Sequence, residues 1–485
     1  MEEHTEGAPA QGAPRKGIGL MGLIALVISS SIGSGVFALS TDISAAAAPG
    51  AAIVAWILTG IGFIALGTTF GRLSLARPDL WGIVAYAEEG FGRFVGFVSG
   101  WGYWLATWIG NVAFAVMLCT AIGYFYPPFA GDLTIPAVIF MSIVNWFIIL
   151  LVNHGVEEAS VVNAIVMVCK LVPIFTFIVC MIVVFSFDVF TADFWGTLAN
   201  NMGGETAPGS LGTQIVNCLM VMMWVFAGME GATVLGHRAN KKSDVSRATV
   251  LGCISLVVIY VAASVLPYGF LSRDELMALG SPSMAYIFQE AVGPWGGAFI
   301  SGGLAVSIMG AWLSYTMLAA EAMSSLGKME LVPSIFAKFN KNGAPTACLM
   351  ATGIMIQILC IVVLFSDAAY QFAYSLTTAA IVISWALASA YMVKWAWPRR
   401  HEGQLGSLVL SLVATVYLVV AILLAGVNLL MMCCILYIPG MVAYLMACRE
   451  YGRKPFKRWE LALAVVLMAI AAVTIYLLAT GVFTI

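Results

Sequence analysis

The sequence predicts an all-α polytopic membrane protein: two inverted five-helix repeats, each opened by a discontinuous helix, followed by two or three accessory C-terminal helices. Three observations carry this. Hydrophobic residues make up 61% of the 485-residue chain and charged residues 9%, whereas a soluble globule carries about 25% charged residues. Apolar runs of about 20 residues, enough to cross a bilayer core, recur from end to end between charged or turn-rich connectors. Two of these runs, five spans apart, are interrupted in their middles by glycine and polar residues.

Met1 to Lys16 is polar and rich in Gly, Ala and Pro, without the ordered segments of a signal peptide, and reads as a disordered tail over residues 1–16. Apolar cores then fall at 18–38, 51–71, 94–125, 134–152, 160–186, 213–236, 248–270, 297–325, 346–365, 369–396, 406–426, 429–448 and 461–482, thirteen in all. The first five form one repeat over 17–190, the next five a second over 210–397, and the last three are accessory spans over 404–485. Lys and Arg collect on one side, from Arg15 and Lys16 through Arg72, Arg77, Arg93, Lys241, Lys328, Lys394 and Arg399 to Arg449 and Arg458; the other side keeps only Arg273. By the positive-inside rule the N-terminus is cytoplasmic, and an odd number of spans puts the C-terminus outside.

The first break is Ser30-Ser31-Ile32-Gly33-Ser34-Gly35-Val36-Phe37 and the second is Trp224-Val225-Phe226-Ala227-Gly228-Met229-Glu230-Gly231. An unwound backbone inside a bilayer is tolerated only where it is buried in protein or lines a polar cavity. An offset of five, being odd, brings the second repeat into the membrane from the opposite face, the arrangement in which a midplane site opens alternately to the two sides. At the first break Gly33, Ser34 and Gly35 leave backbone N–H groups free at the start of a half-helix, which suits a carboxylate; close helix packing also uses small residues.

Three ionisable residues fall inside the expected spans: Lys170, Glu230 and Glu321. A charge at mid-bilayer costs about 2.5–3.5 kcal/mol on insertion scales, so each reads either as functional or as half of a structural ion pair. The aromatics Tyr103, Trp104, Trp108, Trp224, Tyr315 and Trp385 include candidates for a cavity wall that attracts a cation. The ten cysteines are mostly scattered singly through apolar spans and the four histidines lie far apart, so neither a disulfide framework nor a metal site is expected. No cofactor and no nucleic-acid partner is expected.

The break residues 32–37, Tyr103-Trp104-Leu105-Ala106-Thr107-Trp108-Ile109-Gly110-Asn111 and Trp224 to Glu230 resemble the first, third and sixth helices of basic amino acid/polyamine antiporters in the amino acid-polyamine-organocation superfamily. Gly236-His237-Arg238-Ala239-Asn240-Lys241-Lys242, Lys170-Leu171-Val172-Pro173-Ile174 and Leu318-Ala319-Ala320-Glu321 are closer still to its arginine/ornithine antiporter and lysine permease branch. The similarity runs from about residue 15 to 400.

The resemblance implies a LeuT-like fold in a cell membrane and sodium-independent exchange of a basic amino acid for its product, arginine for ornithine first. Carried over position by position, Gly33, Ser34 and Gly35 hold the carboxylate with Ser30 and Ser31 nearby, and carbonyls around Trp224 and Ala227 take the α-ammonium. Ala106, Thr107, Asn111, Tyr315 and Thr377 line the side-chain end, Tyr103, Trp224 and Trp385 gate, and Glu230 couples to protons or substrate charge, with Lys170 and Glu321 as further coupling residues. Lys170 resembles a fifth-helix lysine that takes the place of a sodium ion and reaches the unwound first helix. The chain departs from the pattern at Tyr315, where relatives place a tryptophan, at Ser384-Trp385 in place of Pro-Tyr, and at Thr107 in place of a cysteine. These departures fall at the substrate's distal end, so lysine, histidine/histamine and arginine/agmatine exchange stay open. The expected partners are amino acids, the lipid bilayer and a second copy in a homodimer.

A proton-coupled importer is the competing transport reading. An intramembrane enzyme would need a nucleophile with a base or a metal cluster in the spans, and a sensor would need a large output module; the sequence supplies neither.

Overall fold

Each broken span stops where its sequence loses helix-forming side chains and restarts where a hydroxyl or glycine can open a new turn. In the first, α1 (Leu20–Ser31) gives way at Ile32, and α2 (Gly35–Ala46) restarts after Ser34 at 50° to it. The structure, a computed structural model, describes residues 19–80, 82–129, 133–155, 160–204, 206–234, 239–365 and 369–482. The expected tail over 1–16 and the Gly236-His237-Arg238 motif lie outside the described residues.

α3 (Pro49–Ala76) begins on a proline, whose missing N–H would have had no helical partner there. α4 (Gly82–Phe91) and α5 (Arg93–Gly123) are hinged at Gly92, held at φ +97°. α6 (Ile135–Asn153) is capped by the Thr134 hydroxyl, and α7 (Ser160–Val184) is the span that carries Lys170. Two short helices, α8 (Phe187–Thr191) and α9 (Thr197–Met202), lead to α10 (Leu211–Val225), whose first turn is closed by Ser210. A run of turns over 226–230, closed by hydrogen bonds between residues three apart, joins α10 to α11 (Gly231–Val234). α12 (Lys242–Val265) follows, and a Ser272/Glu275 capping box starts α13 (Arg273–Ala278). α14 (Ser283–Val292), α15 (Pro294–Lys328), α16 (Thr346–Val362), α17 (Ala369–Ala396), α18 (Leu405–Ala425), α19 (Val427–Glu450) and α20 (Arg458–Ala479) complete the described fold.

Among the described residues eleven helices are long and apolar enough to cross a membrane, or twelve with α1 and α2 taken as one bent span. The expected sixth span differs from the others because α10, at 15 residues, is too short to cross alone and loses its helix at the break. The first span also runs further than the expected 38, because α2 continues to Ala46.

α5 is the central pillar, buried along nearly all of its length within the protein, whereas α20 keeps most of its surface exposed. It packs chiefly against α15 and α17, while α12 lies along α3 and α1, and α18 covers α17 and α3. At one end of the molecule the Arg77 guanidinium forks onto Asp79 at 2.9 and 2.6 Å and reaches Glu89 at 3.0 Å and Tyr391, clamping the α3–α4 corner to α17. Arg77 holds the Asp79 carboxyl below its ordinary range, so the clamp is complete at neutral pH and is lost only as pH falls through that lowered value.

The two breaks meet. Gly228, at φ +101°, lies so close to α1 that a Cβ there would stand 2.6 Å from the Ser30 carbonyl oxygen and 3.2 Å from the Ser31 nitrogen. The Ser30 hydroxyl donates to the Gly228 carbonyl at 2.7 Å. Both neighbours are backbone and neither can yield as a side-chain tip would. Gly228→Ala therefore combines a positive φ, which costs about 1–3 kcal/mol, with a backbone collision, and should lower the melting temperature of the purified protein. An unchanged melting temperature would show that the breaks can separate freely.

Candidate functional site

In a continuous helix the Ser29 carbonyl would accept the Gly33 N–H. Here the Gly33 N–H turns back to Ser31 O at 2.9 Å, and the fully buried Lys170 ammonium takes its place, donating to Ser29 O at 2.8 Å and to Ile32 O at 2.9 Å. The Ser29 hydroxyl lies 3.4 Å from the same nitrogen. A cation on α7 thus substitutes for the helical donors that the break removes, and it holds α1 and α7 together chiefly through backbone carbonyls.

Beyond the break, the first N–H groups of α2 have no acceptor one turn back, the ordinary condition of a helix start. Phe37 N–H turns to Ser34 O at 3.1 Å. Aromatic rings wall this end. A Cβ on Gly33 would meet the Phe114 ring at 2.5 Å, and one on Gly35 would meet Val225 at 2.8 Å and the Trp224 indole nitrogen at 3.0 Å. Glycine at both positions lets those rings reach the backbone. The Trp224 indole donates to the Tyr370 hydroxyl at 3.3 Å, which also lies 3.3 Å from the Ser34 hydroxyl. Tyr374 stacks on Trp224 at 6.1 Å, and Phe114 sits 5.9 Å from Trp224 and edge-on to Tyr315 at 5.0 Å.

On the other side of Phe114, Tyr315 packs against Gly110, 3.2 Å from where a Cβ would stand, with the Thr377 methyl beside it. Asn111 donates to Thr316 at 3.3 Å. Glu230 is buried in the second break, and its neighbours are Tyr103, Trp385 and Tyr315. Buried polar atoms without a hydrogen-bond partner among the described residues gather here: Ser31 Oγ, Tyr103 OH, Asn111 Oδ1, Glu230 Oε2, Thr377 Oγ1 and Trp385 Nε1. The Tyr103 hydroxyl and Trp385 indole lie beside the Glu230 carboxylate and can donate to it, which leaves Ser31 Oγ, Asn111 Oδ1 and Thr377 Oγ1 as groups that cost about 1–3 kcal/mol each unless something pairs with them and so suit a polar ligand.

The structure therefore draws together Ser30, Ser31, Gly33, Ser34, Gly35, Trp224, Ala227, Glu230, Tyr103, Trp385, Tyr315, Thr377 and Asn111 around the two breaks. Ala106 is buried on α5, and Thr107 turns its hydroxyl to its own helix, at 3.1 Å from Tyr103 O and 2.9 Å from Trp104 O, so it presents little polarity. The Trp224 carbonyl already accepts the Ala227 N–H at 3.0 Å. Glu321 stands apart: it is partly exposed near Cys348 of α16, further along α15 from Tyr315. Trp104 donates to Thr352 on α16.

Sequence reasoning missed Phe114, Tyr370 and Tyr374, which sit on unbroken helices; the i, i+4 spacing of Tyr370 and Tyr374 was their one signal. It also counted three ionisable residues in the spans. Lys394 lies inside the expected span 369–396 as well, and Asp42 is a further one, overlooked because the first span was ended at residue 38.

The profile of the amino acid permease family matches residues 18–428. The chain is 46% identical over 470 residues to an arginine/ornithine antiporter of Latilactobacillus sakei, covering 96% of this chain and 98% of that one. It is 41% identical over 454 residues to arginine/ornithine antiporter ArcD1 of Lactococcus lactis, covering 91% and 86%, and 36% identical over 481 residues to an arginine/agmatine antiporter of Chlamydia felis, covering 96% and 97%.

Replacing Lys170 by alanine leaves the Ser29 and Ile32 carbonyls without their ammonium. Hydrogen bonds to a charged group contribute about 1.5–3 kcal/mol each. Amide exchange in residues 28–36 should accelerate by at least tenfold in Lys170→Ala while α5 keeps its protection. Unchanged exchange at the break would show that the lysine does not hold it.

Proposed function

From the premise that this chain belongs to the amino acid permease family, within the amino acid-polyamine-organocation superfamily, we propose that it is a sodium-independent arginine/ornithine antiporter of the cell membrane. The observation that carries the reading is that the two breaks meet, held by the Ser30 hydroxyl on the Gly228 carbonyl, with the start of α2 on one break, the buried Glu230 on the other and Phe114, Trp224 and Tyr315 packed beside them. The start of α2 presents backbone donors and a helix-dipole positive end for a carboxylate, and the Glu230 carboxylate offers a counter-charge for a cationic side chain. An amino acid with a cationic side chain has these charges at its two ends.

On this reading Ser34 and the N–H groups around Gly35 hold the carboxylate, and carbonyls of the second break take the α-ammonium. Phe114, Tyr315 and the Thr377 methyl line the aliphatic stem, with Asn111 near the distal end. Trp224, pinned by Tyr370, closes the site on the side to which α2 runs; Tyr103, Trp385 and Glu230 close it on the other. Spans one to five and six to ten form the inverted repeats, and α18 to α20 are accessory. The N-terminus is cytoplasmic, which places the far end of α2 at the outer face. Lys170 supplies the cation that sodium would otherwise supply between α7 and the first break.

The test is counterflow into liposomes of purified protein loaded with ornithine, in sodium-free buffer. External arginine should enter only when ornithine is inside, at a rate independent of sodium. Entry into empty liposomes driven by a pH gradient would favour the proton-coupled importer instead, and preference for internal agmatine would place the chain with the arginine/agmatine relatives. Glu230→Gln removes the counter-charge. In the wild type, affinity for arginine should weaken as acidification protonates Glu230; the variant should bind at every pH about as weakly as the wild type does once acidified, and lose that dependence. Superimposable pH profiles after scaling would take Glu230 out of the coupling role.

A further inference from the structure

The end of the bundle that carries the Arg77 clamp also holds a groove away from the two breaks. About 460 Å³ in volume, it runs between α17 and α18 and is lined by Phe91 of α4, Val393 of α17, Trp397 just past the end of α17, and Leu412 and Thr415 of α18. Its walls are almost wholly apolar, and Trp397 and Leu412 keep half or more of their surface exposed, so it opens on the outside of the bundle. Leu412 and Thr415 are seven and ten residues into α18, which carries the groove about 10–15 Å along that helix from its start.

One end is charged. The Lys394 ammonium lines the groove, donates to Gly90 O and lies 5.6 Å from the centre of the Phe91 ring. The Arg400 guanidinium lies 5.3 Å from the Trp397 ring and donates to Trp397 O at 2.8 Å; that of Arg399 lies 4.6 Å from the Trp395 ring and donates to Trp395 O at 2.8 Å. An ammonium has three donors and a guanidinium five, and each of these groups uses one. Among the described residues none of the three cations pairs with a carboxylate, Glu402 of the same connector included.

We propose that the groove binds an anionic phospholipid of the surrounding leaflet, with one acyl chain along its apolar walls and the phosphate held by Lys394 and Arg400, Arg399 standing beside them. A neutral lipid would cover the walls and leave the cations without a counter-charge; a soluble anion would do the reverse. An anionic lipid has both parts in this order, and Trp395 and Trp397 at the charged end are the residue type that settles at headgroup level. A lipid so placed ties the accessory α18 to α17 and, through Lys394 and Phe91, to the end of α4 beside the Gly92 hinge. The inference holds whatever solute the protein carries.

Lipid retained by the purified full chain tests it. Protein equilibrated in mixed micelles with equal amounts of phosphatidylglycerol and phosphatidylcholine, then weighed by native mass spectrometry, should keep phosphatidylglycerol in preference. Arg400→Gln, which removes a side chain bonded only to its own connector, should lower the retained phosphatidylglycerol about fivefold. Lys394→Gln should lower it at least as much, and Lys394→Arg should stay near wild type. Leu412→Trp, which fills the groove at unchanged charge, should displace the lipid too, whereas Lys338→Gln with Lys341→Gln, outside the groove, should change nothing. Equal retention of the two lipids by the wild type overturns the site, as does wild-type retention in Leu412→Trp. A loss in the Lys338 and Lys341 variant as large as in Arg400→Gln shows diffuse attraction alone and overturns it as well.

Discussion

The fold depends on one substitution of donors: an ammonium on α7 in place of helical N–H groups at the first break. In lipid an unpaired carbonyl costs several kcal/mol, so a span can unwind only if something else pairs with its backbone. Lys170 does so from a neighbouring helix, donating to two backbone carbonyls and, at longer range, to the Ser29 hydroxyl. The second break is stabilised differently, by its own turns, closed by hydrogen bonds between residues three apart, and by the Ser30 hydroxyl on Gly228 O. Each break therefore completes the other, which is why they are placed face to face and why Gly228 leaves no room for a side chain.

The opening in the helices also explains where the aromatics go. Glycines at positions 33 and 35 remove the side chains that would hold rings away from the backbone, and Phe114 and Trp224 move into that space. Trp224 then touches three elements: the start of α2 through Gly35, α5 through Phe114, and α17 through Tyr370 and Tyr374. A ring held by one hydrogen bond of 3.3 Å and by stacking can swing without breaking a helix, whereas the Lys170 anchor cannot be released without exposing carbonyls.

Most of the helical order was legible because twenty-residue apolar runs have few alternatives in a chain this hydrophobic. The breaks were legible for the same reason: Gly-Ser-Gly and a glutamate are conspicuous against Leu, Ile and Val. Their meeting was not, since no local pattern says that Ser30 and Gly228, 198 residues apart, share a hydrogen bond. Tyr370 and Tyr374 were hidden among the many aromatics of a membrane protein, where one ring in a continuous helix looks like the next. Asp42 was hidden by a boundary, because hydropathy fades near Ser40 although the helix does not end until Ala46. Thr107 was legible as a position and misleading as a chemistry, since its hydroxyl satisfies its own helix.

The exchange reading has a physical root in the same unpaired carboxylate that marks the site. Glu230 is buried with one oxygen unpaired among the described residues. On the proposed reading, moving the empty site would carry that carboxylate through the low-dielectric middle with only the Tyr103 hydroxyl and the Trp385 indole beside it. With a cationic amino acid in place the charge is balanced throughout the movement, and on either face a second cation can take the place of the first. On the proposed reading, a site built in this way would lower the barrier for the loaded protein more than for the empty one, and that difference, rather than a separate lock, would make import of one amino acid conditional on export of another.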